Sequence, residues 1–371
     1  MRKISKENSP LVYVAMSGGV DSSVAAALLS TRGGSALGGK KQGFNVTGVF
    51  FKPWQPSKNI SFCLWKKDRE DAMKVAGILG IKFKTWDFSK EYGQDVVKYM
   101  VTSYRKGITP NPDVMCNKKI KFGLFLKKAL AEGADFIATG HYARIKKTKD
   151  GIYRLLKGID KNKDQSYFLY TLAQKELSRS IFPIGDYEKP EVRKMAKKFG
   201  LPVYNKKDSQ GICFVGNMDV KNFLKKNIKP KEGNIILMET GKIIGKHDGV
   251  YYYTIGQRHG PDIKIGGGPY FVARKDVGKN ILYVTKNAGS KYLKSEKIGL
   301  EKVTWVEKEP KMPYVVSAKL RYRSSSIGAK IIKSKTGRYE LIFKKPAKTP
   351  APGQSAVFYK GDKVLGGGII K

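Results

Sequence analysis

The apolar positions follow two regimes along the chain. From Leu11 to Thr139, short apolar runs alternate with stretches of helical period. Leu11–Met16 is an apolar run that enters a Ser-Gly-Gly turn, and Val24–Leu29 behind it is rich in Ala and Leu and helix-prone. Val46–Phe51, Ile81–Trp86 and Ala134–Thr139 repeat the strand pattern. Leu64–Leu79 carries a helical period and stops at Gly80, a residue suited to a helix C-terminus. Phe88–Arg105 and Ile120–Glu132 predict two more helices, closed by Gly107 and Gly133. Strands that alternate with helices predict a parallel sheet covered on both faces. Such a sheet binds ligands at the carboxyl ends of its strands.

After residue 215 the helical stretches thin out. Short strands are expected at Ile235–Met238, Val250–Thr254, Tyr270–Ala273, Ile281–Val284, Tyr314–Tyr322, Ile327–Ile332, Tyr339–Phe343 and Ala356–Tyr359. Thr336-Gly337 and Lys360-Gly361-Asp362 supply turns between them. The expected fold class is therefore α/β: a Rossmann-like, doubly wound parallel sheet at 1–216, a small β-rich central domain at 217–288 and a β-barrel at 289–371. The basic, Gly-rich Gly33–Gly43 reads as a loop or a flexible insertion.

Composition narrows the class. A chain of 371 residues has room for two or three domains. Hydrophobic residues make up 41% and charged residues 28%, and no apolar run approaches the roughly 20 residues of a membrane span. Disordered and membrane-spanning classes are excluded on that basis. Met1–Pro10 is polar and lacks a signal-type apolar core, so the expected location is the cytoplasm. Three cysteines without a CxxC pair cannot build a disulfide framework. Three histidines without paired spacing make a zinc site unexpected, and no metal ligand set is assigned. Lys and Arg number 72 against 31 Asp and Glu, a net charge of +41. Such a surface attracts polyanions, nucleic acid first. A lysine bias of this kind also arises from genome composition alone.

One segment carries chemistry on its own. Ser17-Gly18-Gly19-Val20-Asp21-Ser22-Ser23 lies between a predicted strand and a predicted helix. Two glycines let the backbone approach a ligand, the hydroxyls add donors, and the helix N-terminus faces the same spot. The pattern is a phosphate cradle without the Gly-Lys-Ser/Thr ending of a Walker A motif. It resembles the PP-loop of the ATP pyrophosphatases, which split ATP between the α and β phosphates and adenylate a carbonyl oxygen.

The thiols divide by context. Cys116 lies in Thr109-Pro110-Asn111-Pro112-Asp113-Val114-Met115-Cys116, where two prolines predict an extended loop and exclude helix. Lys118, Lys119 and Lys121 nearby favour a thiolate, and Asp113 is placed as a general acid or base. Cys213 sits between Gly211 and Gly216, on a loop that can swing. Cys63 reads as structural. His141, after Gly140 at a strand end, is an ordinary loop residue in its own right. Arg321 and Arg323 are expected on one strand face, with Tyr322 on the other.

The motifs together resemble one family along almost the full length, the bacterial tRNA-specific 2-thiouridylases. They are Met16–Ser23, Thr109–Asp113, Cys116–Lys118, Ala138–Tyr142, Lys163–Tyr170, Gly211–Phe214, Thr254–Arg258, Arg321–Arg323 and Pro352–Tyr359. The resemblance implies ATP with Mg²⁺, and ATP binding by Ala15, Met16, Ser17, Gly18, Gly19, Val20, Asp21, Ser22, Phe51 and Gly140. Asp21 would be a Mg²⁺ ligand or one hydrogen bond removed from it. It implies Cys116 as nucleophile and Cys213 as persulfide carrier, paired transiently as a disulfide. Asn111, Pro112 and Asp113 would meet the target base. His141, Lys163, Asp164, Gln165, Arg321, Tyr322 and Gln354 would meet the tRNA. The implied partners are tRNAs with a wobble uridine, those accepting Lys, Glu and Gln. A cysteine desulfurase or a sulfur-relay carrier would deliver sulfur. The family has Met where Phe51 stands, Asn where Pro53 stands and Thr where Gln210 stands. Three rival readings follow from the residues: another PP-loop synthetase, a basic RNA-binding protein with a decayed nucleotide site, or an iron–sulfur enzyme using Cys63, Cys116 and Cys213.

Overall fold

The computed structural model describes residues 9–30, 43–55, 64–208, 219–258 and 268–371. The chain forms two compact units. The first draws on Met1–Val96, Asp113–Asn217 and Asp362–Val364, and the second on Val97–Pro112, Met218–Gly361 and Leu365–Lys371. Cys63, Cys213 and most of Gly33–Gly43 lie outside the described residues.

The first unit is built on a five-stranded sheet. Its strands are β1 (Leu11–Met16), β2 (Asn45–Lys52), β3 (Lys82–Asp87), β4 (Phe136–Ala138) and β7 (Ser180–Ile181), in the order β3-β2-β1-β4-β7. Every pairing in it is parallel, with Val14 beside Gly48 on one side and Ala138 on the other. The chain runs outward from β1 through β2 to β3, then returns to β4. The switch point therefore lies between β1 and β4, where α/β sheets open a ligand crevice. Val12 and Val14 are buried, and Ala25, Ala26 and Ala27 let helix Val20–Leu29 lie close on the sheet. Helices Leu64–Leu79 and Lys189–Lys198 contribute to the same core. Strands β5 (Ala143–Lys147) and β6 (Tyr153–Lys157) form an antiparallel hairpin.

The expected loop around Cys116 is a helix. Pro112–Cys116 is α-helical and continues as a π-helix over Asn117–Phe125. Pro112 occupies the first helical position, where a missing N–H removes no bond and the fixed φ already suits a helix. The expected Ile120–Glu132 helix is thus split between that π-helix and Leu126–Ala131.

The second unit takes helix Lys98–Arg105, whose Arg105 guanidinium donates to the Asn227 carbonyl at 2.7 Å. It holds a four-stranded sheet of β8 (Gly233–Leu237), β9 (Ile243–His247), β10 (Phe271–Asp276) and β11 (Ile281–Thr285), ordered β10-β11-β8-β9. It also holds a closed barrel. Strands β12 (Lys294–Trp305), β13 (Tyr314–Lys319), β14 (Ile327–Lys333), β15 (Tyr339–Lys348), β16 (Ser355–Lys360) and β17 (Lys363–Ile370) run in the order β12-β15-β14-β13-β16-β17. Pairing of β17 with β12, Ile370 opposite Leu300, closes the ring. Ile298, Leu300, Ile331, Leu341 and Phe358 fill it.

Two strand expectations fail here. Val250–Tyr252 is a 3₁₀ turn, because Gly249 adopts φ +144° and its N–H donates to the His247 ring at 3.0 Å. Arg321–Arg323 is a turn beyond β13. Ser324 N–H and Oγ both donate to the Arg321 carbonyl, at 3.2 and 2.8 Å, and Arg323 takes φ +62°. The two arginines therefore share no strand face.

Candidate active site

The loop after β1 is shaped by its own hydroxyls. Ser17 N–H donates to Ser22 Oγ at 3.1 Å, and Ser23 Oγ donates to the Gly19 carbonyl at 2.8 Å. Gly18 adopts φ +71°, and a Cβ there would lie 2.0 Å from the Asp68 carbonyl oxygen. Gly140, leaving β4, is pressed on the first turn of helix Val20–Leu29. A Cβ on it would lie 2.7 Å from Ser22 N and 2.8 Å from Asp21 C. Only glycine fits either place. Lys206 ties the loop down by donating to the Gly18 carbonyl at 2.9 Å while pairing with Asp68 and Asp71. Ala15 and Met16 close β1 opposite Val49 and Phe50.

Asp21 sits in the first turn of that helix and anchors an ionic network. Its Oδ1 accepts from Tyr142 Oη at 2.8 Å and from Lys189 Nζ at 2.7 Å. Lys189 Nζ also pairs with Asp208 at 2.8 Å, and Asp208 takes Arg193 at 2.9 Å and the Lys163 ammonium besides. The backbones of both lysines are fixed by one carboxylate. Asp160 Oδ2 accepts from Lys189 N–H at 2.9 Å, and its Oδ1 from Lys163 N–H at 3.1 Å. Gln165 clasps Tyr142: its Oε1 accepts the Tyr142 N–H at 3.0 Å, and its own N–H donates to the Tyr142 carbonyl at 2.9 Å. Asp164 is buried and accepts from Gly158 N–H and Ser166 N–H at 3.2 and 3.1 Å.

Electrostatics follow the contacts. Burial would raise the Asp208 carboxyl, but hydrogen bonds from Lys163 and Lys189 and their charges overcome it and hold it at about 2. Burial, reinforced by the Asp21 charge, pushes the Tyr142 phenol far up, so it stays a proton donor.

Cys116 is 0% exposed at the end of its short helix, while Lys118 and Lys119 beyond it are exposed. Asn117 donates to the Phe168 carbonyl at 3.3 Å. Asp113 is half-buried, and Asn111 is buried in the second unit. Phe51 is buried too, its ring edge-on to Phe88 and Phe125. His141 lies beside the Phe122 and Phe182 rings, with Nδ1 2.7 Å from Thr139 Oγ1.

In the second unit, Gln354 Nε2 donates to the Thr109 and Pro110 carbonyls at 3.1 and 2.9 Å. The Arg321 guanidinium donates to the Thr349 carbonyl at 3.1 Å and to the Ile255 carbonyl. Tyr322 is half-buried, with the Arg323 guanidinium 5.3 Å from its ring centre.

Known proteins resemble the chain along this whole arrangement. Residues 11–217 match the tRNA methyl transferase HUP domain, 221–286 the tRNA methyl transferase PRC-barrel domain, and 295–370 the aminomethyltransferase beta-barrel domain. The tRNA-specific 2-thiouridylase MnmA of Geobacillus thermodenitrificans is 46% identical over 360 residues, covering 97% of this chain and 94% of that protein. The protein of that name from Nitrosococcus oceani is 45% identical over 368 residues, 98% and 97% of the two chains. The chain belongs to the tRNA-specific 2-thiouridylase family.

The family's PP-loop, Ser17–Ser22, and its partner Gly140 meet at the switch point of the first unit, and Lys163 joins them through Asp208. Phe51 and His141 stand in the apolar interior instead. Tyr142, Lys189, Asp160, Asp208 and Lys206 complete the loop's surroundings, and sequence reasoning assigned none of them a role. Tyr142 had a signal, since it closes the motif Ala138–Tyr142. Lys189 and Lys206 had none among so many lysines.

Proposed function

We infer that the chain is an ATP-dependent tRNA 2-sulfurtransferase acting on the wobble uridine. The observation that carries this reading is the PP-loop at the β1/β4 switch point, in a chain aligned end to end with 2-thiouridylases. The uridine 2-oxygen attacks the α phosphorus of ATP, and pyrophosphate leaves. The carbonyl oxygen becomes part of an AMP leaving group. The N–H groups at the start of helix Val20–Leu29 and the Ser17 and Ser22 hydroxyls are donors suited to the phosphates.

Mg²⁺ would supply neutralisation of the pyrophosphate charge. The residues fit it: both hydrogen bonds to Asp21 fall on Oδ1, and Oδ2 has no partner among the described residues.

Sulfur then arrives as a persulfide on Cys213. In one route the terminal sulfur attacks C2 and AMP leaves; Cys116 then attacks Cys213 Sγ and releases the thiocarbonyl. In the other, Cys116 attacks the persulfide first and frees hydrosulfide, which displaces AMP. Both routes form a Cys116–Cys213 disulfide that a reductant reopens. Asp113 serves proton transfer. Asn111 and Pro112 form the wall for the target base, which leaves its stack to enter. Wobble-uridine tRNAs for Lys, Glu and Gln are the substrates, a cysteine desulfurase or relay carrier the donor, and the cytoplasm the place. The names of the 2-thiouridylase relatives support the tRNA substrate among these assignments.

Nucleoside mass analysis tests the reading. Unmodified tRNA is incubated with the protein, ATP, Mg²⁺, a cysteine desulfurase and cysteine. 2-Thiouridine is expected with the intact protein and absent with Cys213→Ser. AMP without 2-thiouridine from the intact protein would refute the sulfur half. Absence of both products would refute the whole.

A further inference from the structure

Asp21, the PP-loop carboxylate that is to meet a cation, is held through one of its two oxygens. Two donors of different kind, the Tyr142 phenol at 2.8 Å and the Lys189 ammonium at 2.7 Å, converge on the single oxygen Oδ1. Lys189 is 8% exposed. Its ammonium is drawn the other way by Asp208 at 2.8 Å, and its backbone is fixed by Asp160. A lysine with one carboxylate alone would settle across both oxygens. Anchored by a second carboxylate, it engages one. Tyr142 is equally constrained, through the reciprocal backbone pair with Gln165.

We propose that Tyr142 and Lys189 are positioning residues for Asp21: together they pin Oδ1 and so present Oδ2, ready oriented, to the divalent cation that accompanies the nucleotide. Asp208 is the counter-anchor that keeps Lys189 from covering Oδ2. The benefit is preorganisation, since a carboxylate fixed at one oxygen loses no rotational freedom when a cation binds the other. This rests on the reading of the loop as an ATP site.

The test measures binding without turnover. Calorimetry with α,β-methylene-ATP, which cannot be cleaved at that bond, gives Kd in Mg²⁺ and in EDTA for the intact chain, Tyr142→Phe, Lys189→Met and Lys189→Arg. The ratio of the two Kd values reads the cation's contribution. In Tyr142→Phe and Lys189→Met this ratio is expected to fall about tenfold, with affinity in EDTA changed less than about threefold. Lys189→Arg, which keeps a donor for both carboxylates, is expected to restore most of the ratio. If both affinities fall in parallel, the residues merely support the loop and the proposal is overturned. An unchanged ratio overturns it equally. If Lys189→Met does not fold, the isosteric Tyr142→Phe decides. Absence of nucleotide binding by the intact chain would remove the ATP reading itself, and the proposal with it.

Discussion

Gln354 Nε2 donates to the Pro110 carbonyl at 2.9 Å, so a residue of the barrel holds the entry to the segment expected to meet the target base. The clasp is tight. Thr109 N–H donates to the Pro352 carbonyl at 3.0 Å, and a Cβ on Gly353 would lie 2.2 Å from Ile108 Cγ2. The Nε2 donors of Gln354 thus face two carbonyls of this segment, whereas the family resemblance assigns the residue to tRNA.

Gln354→Ala leaves two buried carbonyls without their donor. Each such loss costs about 1 kcal/mol, so thermal stability is expected to drop by a few degrees. The kcat for thiolation is expected to fall about tenfold as Pro110 and Asn111 lose their support. The tRNA Kd is expected to stay within about twofold. A tenfold weaker Kd with unchanged kcat would restore the RNA-contact reading.

Gly140→Ala places a methyl group 2.7 Å from Ser22 N and 2.8 Å from Asp21 C. Both are helix backbone and cannot step aside without opening the loop. Nucleotide affinity is expected to fall more than about tenfold, while circular dichroism stays that of the intact chain. Calorimetry with Mg²⁺ and α,β-methylene-ATP checks it; full affinity would place the nucleotide elsewhere.

Cys116 is fully buried. A buried thiol meets reagents only when the structure opens. Iodoacetamide is expected to label it at least about tenfold more slowly than a thiol of the unfolded chain. Addition of tRNA and nucleotide is expected to accelerate labelling as the target base enters. Peptide mass spectrometry reads the site directly, and fast labelling of the free protein would contradict the burial.

Asp208 should shape the acid limb of stability. Its carboxyl is held at about 2 against 3.8 for an ordinary aspartate. The folded chain therefore binds this proton less readily than the unfolded chain. The stabilisation is complete above the ordinary value and is lost as pH falls through about 2. Asp208→Asn is expected to be less stable at neutral pH and to lose part of the decline in acid. Urea unfolding at stepped pH measures both, and parallel curves for the two proteins would be the contrary result.

His141 should titrate late. Burial lowers its imidazole well below the ordinary 6.5, and the nearby Lys121 charge adds to the effect. The ring is expected to stay neutral through the range in which a surface histidine gains its proton. Its contribution to stability is then complete above 6.5 and is lost as pH falls below it. An NMR titration of the ring carbons distinguishes this from an exposed imidazole, which would show its midpoint near the ordinary value.

Strands with continuous apolar runs were legible in the sequence. β1 and β2 are buried on both faces, and their side-chain pattern is local information. The phosphate cradle was legible for the same reason, since its glycines and hydroxyls act on neighbours within a few residues. The barrel's closing strands were not. β12 carries charges along its length and β17 contains three consecutive glycines, and each is held as a strand by its sheet neighbours: β12 by the distant β15 and β17, β17 by β16 and the distant β12. Pro112 misled in the opposite direction: whether proline breaks a helix or begins one depends on its position in that helix, which composition does not state. The surroundings of Asp21 were decided by the fold alone. Tyr142 and Lys189 reach its carboxylate from two distant stretches of chain, and Asp208 joins through Lys189. Hydrogen bonds and ion pairs act over about 3 Å, and sequence order carries that distance only for near neighbours.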